Sequence, residues 1–322
     1  MRGPHFERSV LGCSIAGAFL VACGGPPPPI APGTMLQTRA ISMNQGSWLY
    51  PGAPQLRRLL YVSDLSANVV DVYELPKGRI VGTLSGFDGP AGECSDADGD
   101  VFITEAFAHD VAEYRHGGKS PIAILSDAGY TPIDCSIDRT TGNLAVTNSY
   151  GYGVGTVAVY LAAKGQPEYY TDPSIFQFGF DSYDDAGNLY ADGASPSYGD
   201  TVFAVLAHRS STFSNIALNQ TFCCTRTPLQ WDGSHLAIAS LTSATIYRFQ
   251  ISGTYGTLVG STQLAGSSSV LQFWIENKTL YAPVITNGVP MVSRYSYPAG
   301  GNPNKDILGF ANPFGATVSI RP

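Results

Sequence analysis

Five polar side chains occupy equivalent positions in five related segments of the sequence, and together they could bind a ligand or an ion. Each stands near the start of a short run of strand-forming residues. If these runs are gathered around one axis, the side chains form a polar ring around a ligand, an ion or water. Alternatively, they pair with neighbouring backbone through trapped water, since buried polar groups need partners. The five residues are Glu93, Asp134, Gln177, Gln230 and Gln272.

Disulfide bonds between cysteines are the second chemistry that the sequence allows. Cys94 and Cys135 stand in two of these runs, GECSD and IDCSID. If the two runs are neighbours, their Cα atoms can come within the roughly 4.4 to 6.8 Å that a disulfide bond needs. Cys223 and Cys224 are adjacent in the chain, and their redox state stays open between a strained bond and two packed thiols.

A repeat of four strands would position these residues. One strand of the repeat recurs every 41 to 47 residues, with the first residues Leu60, Val101, Leu144, Leu189, Leu236 and Leu280. A tight turn precedes most copies. It is built on Asp, Gly or Asn, because tight hairpin turns require residues that tolerate positive φ. A leading strand precedes each turn, and two further β-rich runs follow. A period of this length is typical of a propeller blade.

The ends of the repeat region predict how the sheet closes. The first unit begins at its second strand, and the segment PFGATVSI from Pro313 supplies a leading strand with nothing after it. A C-terminal strand that joins the N-terminal blade removes the exposed sheet edges. The competing open solenoid needs end caps, and the sequence has none. We therefore expect an all-β, six-bladed β-propeller over residues 59–322.

Three short motifs carry a family resemblance. They are Pro-x-Gly-x-x-x-Asp from Pro90 to Asp96, Asp-x-x-Gly-Asn from Asp184 to Asn188, and Leu-Tyr-Val-x-Asp from Leu60 to Asp64. On these the chain resembles the six-bladed propellers of the NHL-repeat and gluconolactonase-like group over about residues 59–320. The resemblance implies a divalent metal in the channel, for which Glu93 and Asp134 are the carboxylate candidates.

The amino terminus predicts export and a lipid anchor. Residues 1–8 carry Arg2 and Arg8, and residues 9–22 are an apolar run of about 21 Å as a helix, which is short for a membrane span. Residues 1–22 thus read as a signal peptide. Leu20 to Cys23 resembles the lipobox of bacterial lipoproteins, which implies lipidation of Cys23 and an outer-membrane or outward-facing site. Residues 23–34 form a Pro- and Gly-rich tether, and residues 35–58 an N-terminal extension.

The charge and the composition restrict the classes of partner that we expect. The chain has 322 residues and a formal net charge of −7, and its basic residues are scattered, which argues against nucleic acid. No phosphate loop or serine nucleophile elbow is present. We expect a monomeric, non-enzymatic propeller, anchored at the cell envelope, that binds a protein or small molecule at its channel mouth or loop face. The alternative is a metal-dependent lactonase-like or lyase-like hydrolase that uses the channel.

Overall fold

The computed structural model describes residues 46–150, 154–197, 199–222 and 226–322. Within these ranges the secondary structure is almost entirely β, with single-turn 3-10 helices at Ala53–Gln55 and Leu161–Ala163. None of the helices in the described ranges is long and apolar enough to span a membrane. The expectation of an all-β fold is confirmed.

The described residues contain twenty-six strands. The first half of them are β1 (Trp48–Leu49), β2 (Arg58–Asp64), β3 (Val69–Glu74), β4 (Arg79–Ser85), β5 (Pro90–Ser95), β6 (Val101–Glu105), β7 (Asp110–Tyr114), β8 (Ala123–Ser126), β9 (Pro132–Ile137), β10 (Leu144–Asn148), β11 (Thr156–Tyr160), β12 (Glu168–Tyr170) and β13 (Gln177–Tyr183). The others are β14 (Leu189–Ala194), β15 (Thr201–Leu206), β16 (Ser214–Leu218), β17 (Leu229–Trp231), β18 (Leu236–Ser240), β19 (Thr245–Ser252), β20 (Tyr255–Gln263), β21 (Ser267–Val270), β22 (Trp274–Glu276), β23 (Thr279–Thr286), β24 (Val289–Ser296), β25 (Lys305–Ile307) and β26 (Pro313–Ile320).

The strands form antiparallel sheets in chain order. Strands β5 to β8 make one sheet and β9 to β12 another, while β13 to β16 and β17 to β20 are joined into one sheet by a parallel pairing of β16 with β20. In the next sheet β21 and β22 both pair with β23, and β24 and β25 follow. The sheet nearest the amino terminus has the order β1-β4-β3-β2-β26.

The recurring sequence segment forms the second strand of each four-stranded run. Its copies lie in β2, β6, β10, β14, β18 and β23. These strands are apolar almost without interruption, because both of their faces are covered by neighbouring sheets. Leu60, Ile103, Val146 and Ile238 are all fully buried there. The core therefore consists of apolar layers between successive sheets.

The turns between first and second strands are held by aspartate side chains. Asp184 Oδ1 accepts hydrogen bonds from the backbone N–H groups of Ala186 (2.9 Å) and Asn188 (2.8 Å). Asp96 Oδ1 accepts from the N–H groups of Asp98 (3.0 Å) and Asp100 (2.8 Å) in the same way. Such side-chain bonds fix a tight turn locally. The Asp-rich stretch at Asp96 is thus explained by turn formation.

Strand β26 completes the first sheet. It pairs antiparallel with β2 from Arg58 opposite Ile320 to Asp64 opposite Pro313. Gly315 also lets β26 approach β5 closely, because a Cβ there would lie 2.3 Å from the Ala91 carbonyl oxygen on β5. The C-terminal strand β26 is thus the neighbour of β2 in this sheet.

Part of the N-terminal extension belongs to the same sheet. The expected boundary lay at residue 59, but β2 begins at Arg58, and β1 pairs with the outer strand β4. Leu49 and Leu56 pack against the apolar core of this sheet. Burial of these apolar side chains explains why the described part of the extension is structured.

The first strands of successive sheets lie side by side. Strand β26 contacts β5, β5 contacts β9, β9 contacts β13, β13 contacts β17, and β26 contacts β22. Between β17 and β22, Gln230 Oε1 accepts a hydrogen bond of 2.6 Å from the Ile275 N–H. The sheets therefore radiate from a common centre in a propeller-like arrangement, which gathers the leading strands as the sequence predicts.

Candidate functional site

A cavity of about 360 Å³ lies among the leading strands. Its inner end is formed by buried residues of β9 and β13, and it reaches the surface at exposed residues of the turns, among them Arg139, Asp185 and Asn277. This volume is within the range of small-molecule sites. A second hollow, beside Leu75 and Tyr281, holds only about 10 Å³, which is no more than room for a water molecule.

Three of the five predicted polar residues line this cavity. Asp134, Gln230 and Gln272 are on its wall, whereas Glu93 and Gln177 are not. Gln177 stands at the start of β13, but the cavity lies toward the ends of the leading strands. The expectation that all five side chains form one ring needs this correction.

The Glu93 side chain is turned away from the cavity. It is fully buried, and neither carboxylate oxygen has a hydrogen-bond partner. Burial raises the pKa of this carboxyl well above its ordinary value, and the nearby charge of Asp71 on β3 raises it further. Burial thus favours the protonated form of Glu93. The register of β5 against β6 shifts between Pro90 and Glu93, and such a shift changes which side chains face the centre.

Gln272 ties three strands together at the inner end of the cavity. It stands in the break between β21 and β22, where the backbone is free of strand pairing. Its Oε1 accepts hydrogen bonds from the N–H groups of Glu93 and Ala316, each 3.0 Å long. Its Nε2 donates to the Glu93 carbonyl (2.8 Å) and to Asp134 Oδ1. The amide thus uses both of its ends to connect β26, β5 and β9.

Asp134 and Asp181 form a buried carboxyl pair. The Asp181 N–H donates to Asp134 Oδ2 (3.2 Å), and the Ser136 hydroxyl donates to Asp181 Oδ2 (2.8 Å). Asp181 Oδ1 is buried and has no hydrogen-bond partner. Burial raises the pKa of Asp134 well above its ordinary value, and the neighbouring Asp181 adds to this. Burial raises the pKa of Asp181 to about 8 against the hydrogen bond from Ser136, which lowers it.

A third carboxyl, Asp192 on β14, lies behind this pair. Its Oδ1 accepts from the Phe180 N–H (2.7 Å), and its Oδ2 accepts from the Thr227 N–H and hydroxyl. Burial raises the pKa of Asp192 to about 7, although these hydrogen bonds oppose the shift. Asp192 thus connects β13 and β14 to Thr227, which precedes β17 in the chain. It does not line the cavity.

Aromatic side chains form part of the wall near the mouth. Trp231 and Trp274 are on the wall, and Tyr183 lies with them. The Trp231 indole N–H donates to Asp185 Oδ2 (3.0 Å), and its ring stacks on Tyr190 with centroids 6.2 Å apart and planes 8° apart. The hydrogen bond and the stacking therefore fix the orientation of the Trp231 indole without a ligand.

Close approach of the leading strands depends on glycine. A Cβ at Gly92 would lie 2.4 Å from Asp134 Oδ1 and 2.6 Å from the Ile133 carbonyl oxygen. A Cβ at Gly179 would lie 2.6 Å from Asp192 Oδ1. A side chain at Gly92 would therefore push β5 away from β9, and one at Gly179 would push β13 against Asp192 on β14.

A disulfide bond joins Cys94 to Cys135, with Cα atoms 5.7 Å apart. Both cysteines also contribute to the cavity wall, at its inner part. The bond links β5 to β9 beside Asp134. Cys23, Cys223 and Cys224 lie outside the described residues.

The implied divalent metal does not fit the residues that were candidates for it. The Glu93 carboxylate is off the cavity wall, and both oxygens of Asp134 already accept hydrogen bonds, from Gln272 and Asp181. Across the described ranges, no group of three or more His, Cys, Asp or Glu side chains is placed to hold a metal ion. The donor set that the resemblance implies is thus not assembled.

Sequence reasoning missed Asp181, the residue with the unpartnered oxygen. The run that contains Gln177 is a leading strand as expected, but Gln177 near its start was taken as the polar candidate instead of Asp181 further along the same strand. A carboxylate in an otherwise apolar, buried segment was the available signal.

Comparison with known proteins bears on the fold. No protein family matches the sequence, and no curated protein matches it either. A chain of a nidogen/laminin complex superposes with a TM-score of 0.65 at 14% identity, covering 82% of this chain and 99% of that one. The fold is a β-propeller. A protein of unknown function from Bacteroides caccae is similar as well, with a TM-score of 0.60, 13% identity, and coverage of 83% of this chain and 100% of the other.

Proposed function

We propose that this propeller is a non-enzymatic binding protein that holds a small organic molecule in its central cavity. The observation that carries the proposal is the cavity of about 360 Å³, with a fixed indole at its mouth and a buried carboxyl pair at its inner end. Small-molecule sites combine apolar walls with a few placed polar groups in this manner.

The architecture that we propose is a closed ring of six blades of the NHL-repeat type. The 41 to 47 residue repeat and the pairing of β26 with β2 support it. In this architecture the protein is a monomer. A closed ring leaves no open end of the propeller at which a strand of a second copy could pair.

We place the protein at the cell envelope of a bacterium, exported and held by a lipid on Cys23. The apolar run of residues 9–22 and the lipobox-like Leu20 to Cys23 support this location. Metabolic labelling with a radioactive fatty acid tests it. The full-length chain should take up the label, and Cys23→Ala should not, while Cys13→Ala should label normally.

Ligand binding is tested on the full chain purified in dodecyl maltoside. Native mass spectrometry of protein taken directly from envelopes should reveal a bound small molecule. Trp274→Ala, which opens the cavity wall, should lose it, whereas Trp48→Ala should keep it, because Trp48 is 46% exposed on β1 and outside the cavity. If no small molecule is found and none from a panel of sugars, amines and alcohols binds, the proposal is wrong, and affinity capture of a protein partner becomes the next experiment.

A further inference from the structure

Four basic side chains meet at the turn between β3 and β4. The Lys305 ammonium group on β25 donates a hydrogen bond to the Lys77 carbonyl oxygen in this turn. The Arg294 guanidinium group on β24 donates to the neighbouring Pro76 carbonyl oxygen (3.2 Å). Lys77 itself belongs to the turn, and Arg79 begins β4 directly after it. Lys77, Arg79, Arg294 and Lys305 form the basic cluster, which lies at the seam between the first sheet and the sheet that contains β24 and β25.

The carboxylates beside the basic cluster balance only part of its charge. Glu74 forms ion pairs with Lys77 (2.7 Å) and Arg79 (2.8 Å), and Asp306 on β25 accepts a hydrogen bond of 2.6 Å from the Ser293 hydroxyl. The Lys77 and Arg79 side chains nevertheless remain 69% and 56% exposed. The four cations outnumber these two carboxylates, although the whole chain carries a net charge of −7. The basic cluster can therefore attract an anionic partner.

Exposed apolar side chains continue along the outer edge of the first sheet, which is formed by β1 and β4. Trp48 on β1 is 46% exposed, Tyr50 just after β1 is 48% exposed, and Ile80 on β4 is 36% exposed. The Arg79 guanidinium group lies over the Tyr50 ring, 5.8 Å from its centroid, and so connects these side chains to the basic cluster. Tryptophan and tyrosine are typical of membrane–water interfaces, because one end of each ring is apolar and the other is polar.

The described chain also begins at this edge. Trp48 pairs with Thr83 on β4, and the Ser85 N–H donates a hydrogen bond of 3.0 Å to Ser47 Oγ. Cys23, the proposed lipid site, lies 25 positions before Trp48. At about 3.3 to 3.6 Å per residue, a chain of that length reaches at most about 80 to 90 Å. The lipid would thus keep this edge near a membrane, and a fixed orientation would need contacts made by the edge itself.

We infer that the outer edge of the first sheet docks on an anionic phospholipid bilayer, with the basic cluster at the headgroup phosphates and with Trp48 and Tyr50 among the headgroups. Each Lys or Arg close to such a surface favours the docked state by about fivefold. The same surface repels the net negative charge of the rest of the chain, which favours this edge over the acidic faces. This inference goes beyond the proposed cavity function and rests on the proposed envelope location.

The experiment measures whether Trp48 contacts lipid. A full chain with Trp231→Phe and Trp274→Phe keeps Trp48 as its only tryptophan. It is reconstituted from dodecyl maltoside into vesicles whose lipids carry bromine in the upper part of the acyl chain, because bromine quenches only an indole that touches the bilayer. One set of vesicles is phosphatidylcholine alone, and the other also contains phosphatidylglycerol. Trp48 emission should be quenched more strongly in the vesicles that contain the anionic lipid.

Removal of two charges from the basic cluster tests its part in docking. In the anionic vesicles, the double variant Lys77→Gln, Lys305→Gln should lower the ratio of docked to undocked protein by about tenfold or more. The matched control is Lys119→Gln, Lys164→Gln, which removes two exposed lysines outside the basic cluster and should leave the quenching unchanged. Urea denaturation of both double variants confirms that they are folded.

Quenching of Trp48 that is no stronger with phosphatidylglycerol than without it overturns the inference, and so does quenching that the Lys77 and Lys305 substitutions leave unchanged. Binding of dextran sulfate to the basic cluster without lipid quenching of Trp48 would also overturn it, in favour of an anionic polysaccharide. Should the Lys77 and Lys305 variant not fold, added salt decides on the chain that retains both lysines. Screening weakens charge attraction, so quenching that sodium chloride does not reduce contradicts docking through the basic cluster.

The failure of this inference can be told apart from the failure of the proposals before it. The vesicle experiment uses no cavity ligand, so its result is independent of small-molecule binding. If Cys23 takes up no fatty acid, the proposed lipid anchor has failed. Reconstitution from detergent does not require that lipid, and quenching of Trp48 then still reports whether the edge contacts the bilayer.

Discussion

The side-chain amide of Gln272 donates a hydrogen bond to Asp134 Oδ1 at the inner end of the cavity, although the two residues are 138 positions apart in the chain. The same amide also contacts the backbone of Glu93 and Ala316. One uncharged side chain therefore connects leading strands from three parts of the sequence.

Replacement of Gln272 by alanine should destabilise the protein. It leaves two N–H groups, one carbonyl and one carboxyl oxygen buried without their partner, and the expected loss in free energy of unfolding is about 2 to 4 kcal/mol. Urea denaturation followed by tryptophan fluorescence measures it. Gln55→Ala is the control, because Gln55 is exposed, and it should change stability by less than about 0.5 kcal/mol. Equal stability of the two variants would mean that the Gln272 bridge contributes nothing.

Reduction of the Cys94–Cys135 disulfide should lower stability. The bond closes a loop with a sequence separation of 41, and loss of that constraint on the unfolded chain costs about 2 to 4 kcal/mol. The measurement is denaturation of a Cys94→Ala, Cys135→Ala double variant beside the wild-type protein. A Cys223→Ala, Cys224→Ala double variant serves as the control for cysteine removal. If reductant lowers the stability of the Cys94/Cys135 double variant as much as that of the wild type, another bond is responsible.

Stability should fall as the pH rises from about 4 to about 8. The pKa of Asp181 is about 8 in the folded protein and about 3.9 in an unfolded chain. Between these values the folded state holds more protons than the unfolded state, so the free energy of unfolding decreases with pH, by at most about 1.4 kcal/mol per pH unit for one group. Below about pH 4 Asp181 is protonated in both the folded and the unfolded state, and its contribution to the free energy of unfolding no longer changes with pH.

Asp181→Asn should flatten this pH profile and raise stability at pH 8, because the amide has no charge to bury. Thermal unfolding at intervals of about one pH unit between 4 and 8.5 tests the expectation. Asp98→Asn should keep the wild-type slope, since its carboxylate is exposed. A slope unchanged by Asp181→Asn would assign the proton uptake to other buried carboxyls, such as Glu93.

Gly92→Ala should disturb the cavity through the backbone. The added methyl group would meet Asp134 Oδ1 at 2.4 Å and the Asp134 Cα at 2.6 Å, and such overpacking costs about 1 to 3 kcal/mol. Gly260→Ala on β20 is the matched control, because the nearest atom there is the end of the Arg248 side chain at 3.7 Å. Chemical denaturation of the two variants should therefore separate them. Equal stability would show that β5 and β9 can move apart without cost.

Glu93→Gln should leave cavity binding and metal content unchanged, because this carboxyl lies off the cavity wall. Asp134→Asn changes a residue on the wall and should alter the binding of the small molecule. Elemental analysis of the purified chain and both variants accompanies the binding measurement. A stoichiometric divalent metal that disappears in Glu93→Gln would restore the hydrolase hypothesis, which required Glu93 and Asp134 to share an ion.

The repeat could be read from sequence because its signals are local. Apolar strands such as the one at Leu60, and Asp–Gly turns such as the one at Asp184, recur at a regular spacing, and each signal is contained within a few residues. Pairing of Cys94 with Cys135 was foreseen in the same way, since neighbouring repeats place equivalent residues side by side.

The direction of individual side chains could not be read in this way. Register shifts between Pro90 and Glu93, and between Phe178 and Asp181, change the two-residue alternation inside the leading strands. A bulge is set by contacts with the partner strand and leaves little trace in the strand that carries it. For this reason Glu93 was expected in the channel and Asp181 was overlooked.

The pairing of β26 with β2 also fixes an order of events during synthesis. Ser63 on β2 and Gly315 on β26 contact each other although they are 252 positions apart in the chain, so β2 leaves the ribosome long before its partner exists. Until then its edge is open to any other strand, including the same strand of another nascent chain. A chaperone that shields this edge of β2 would therefore have to release it only when β26 has arrived.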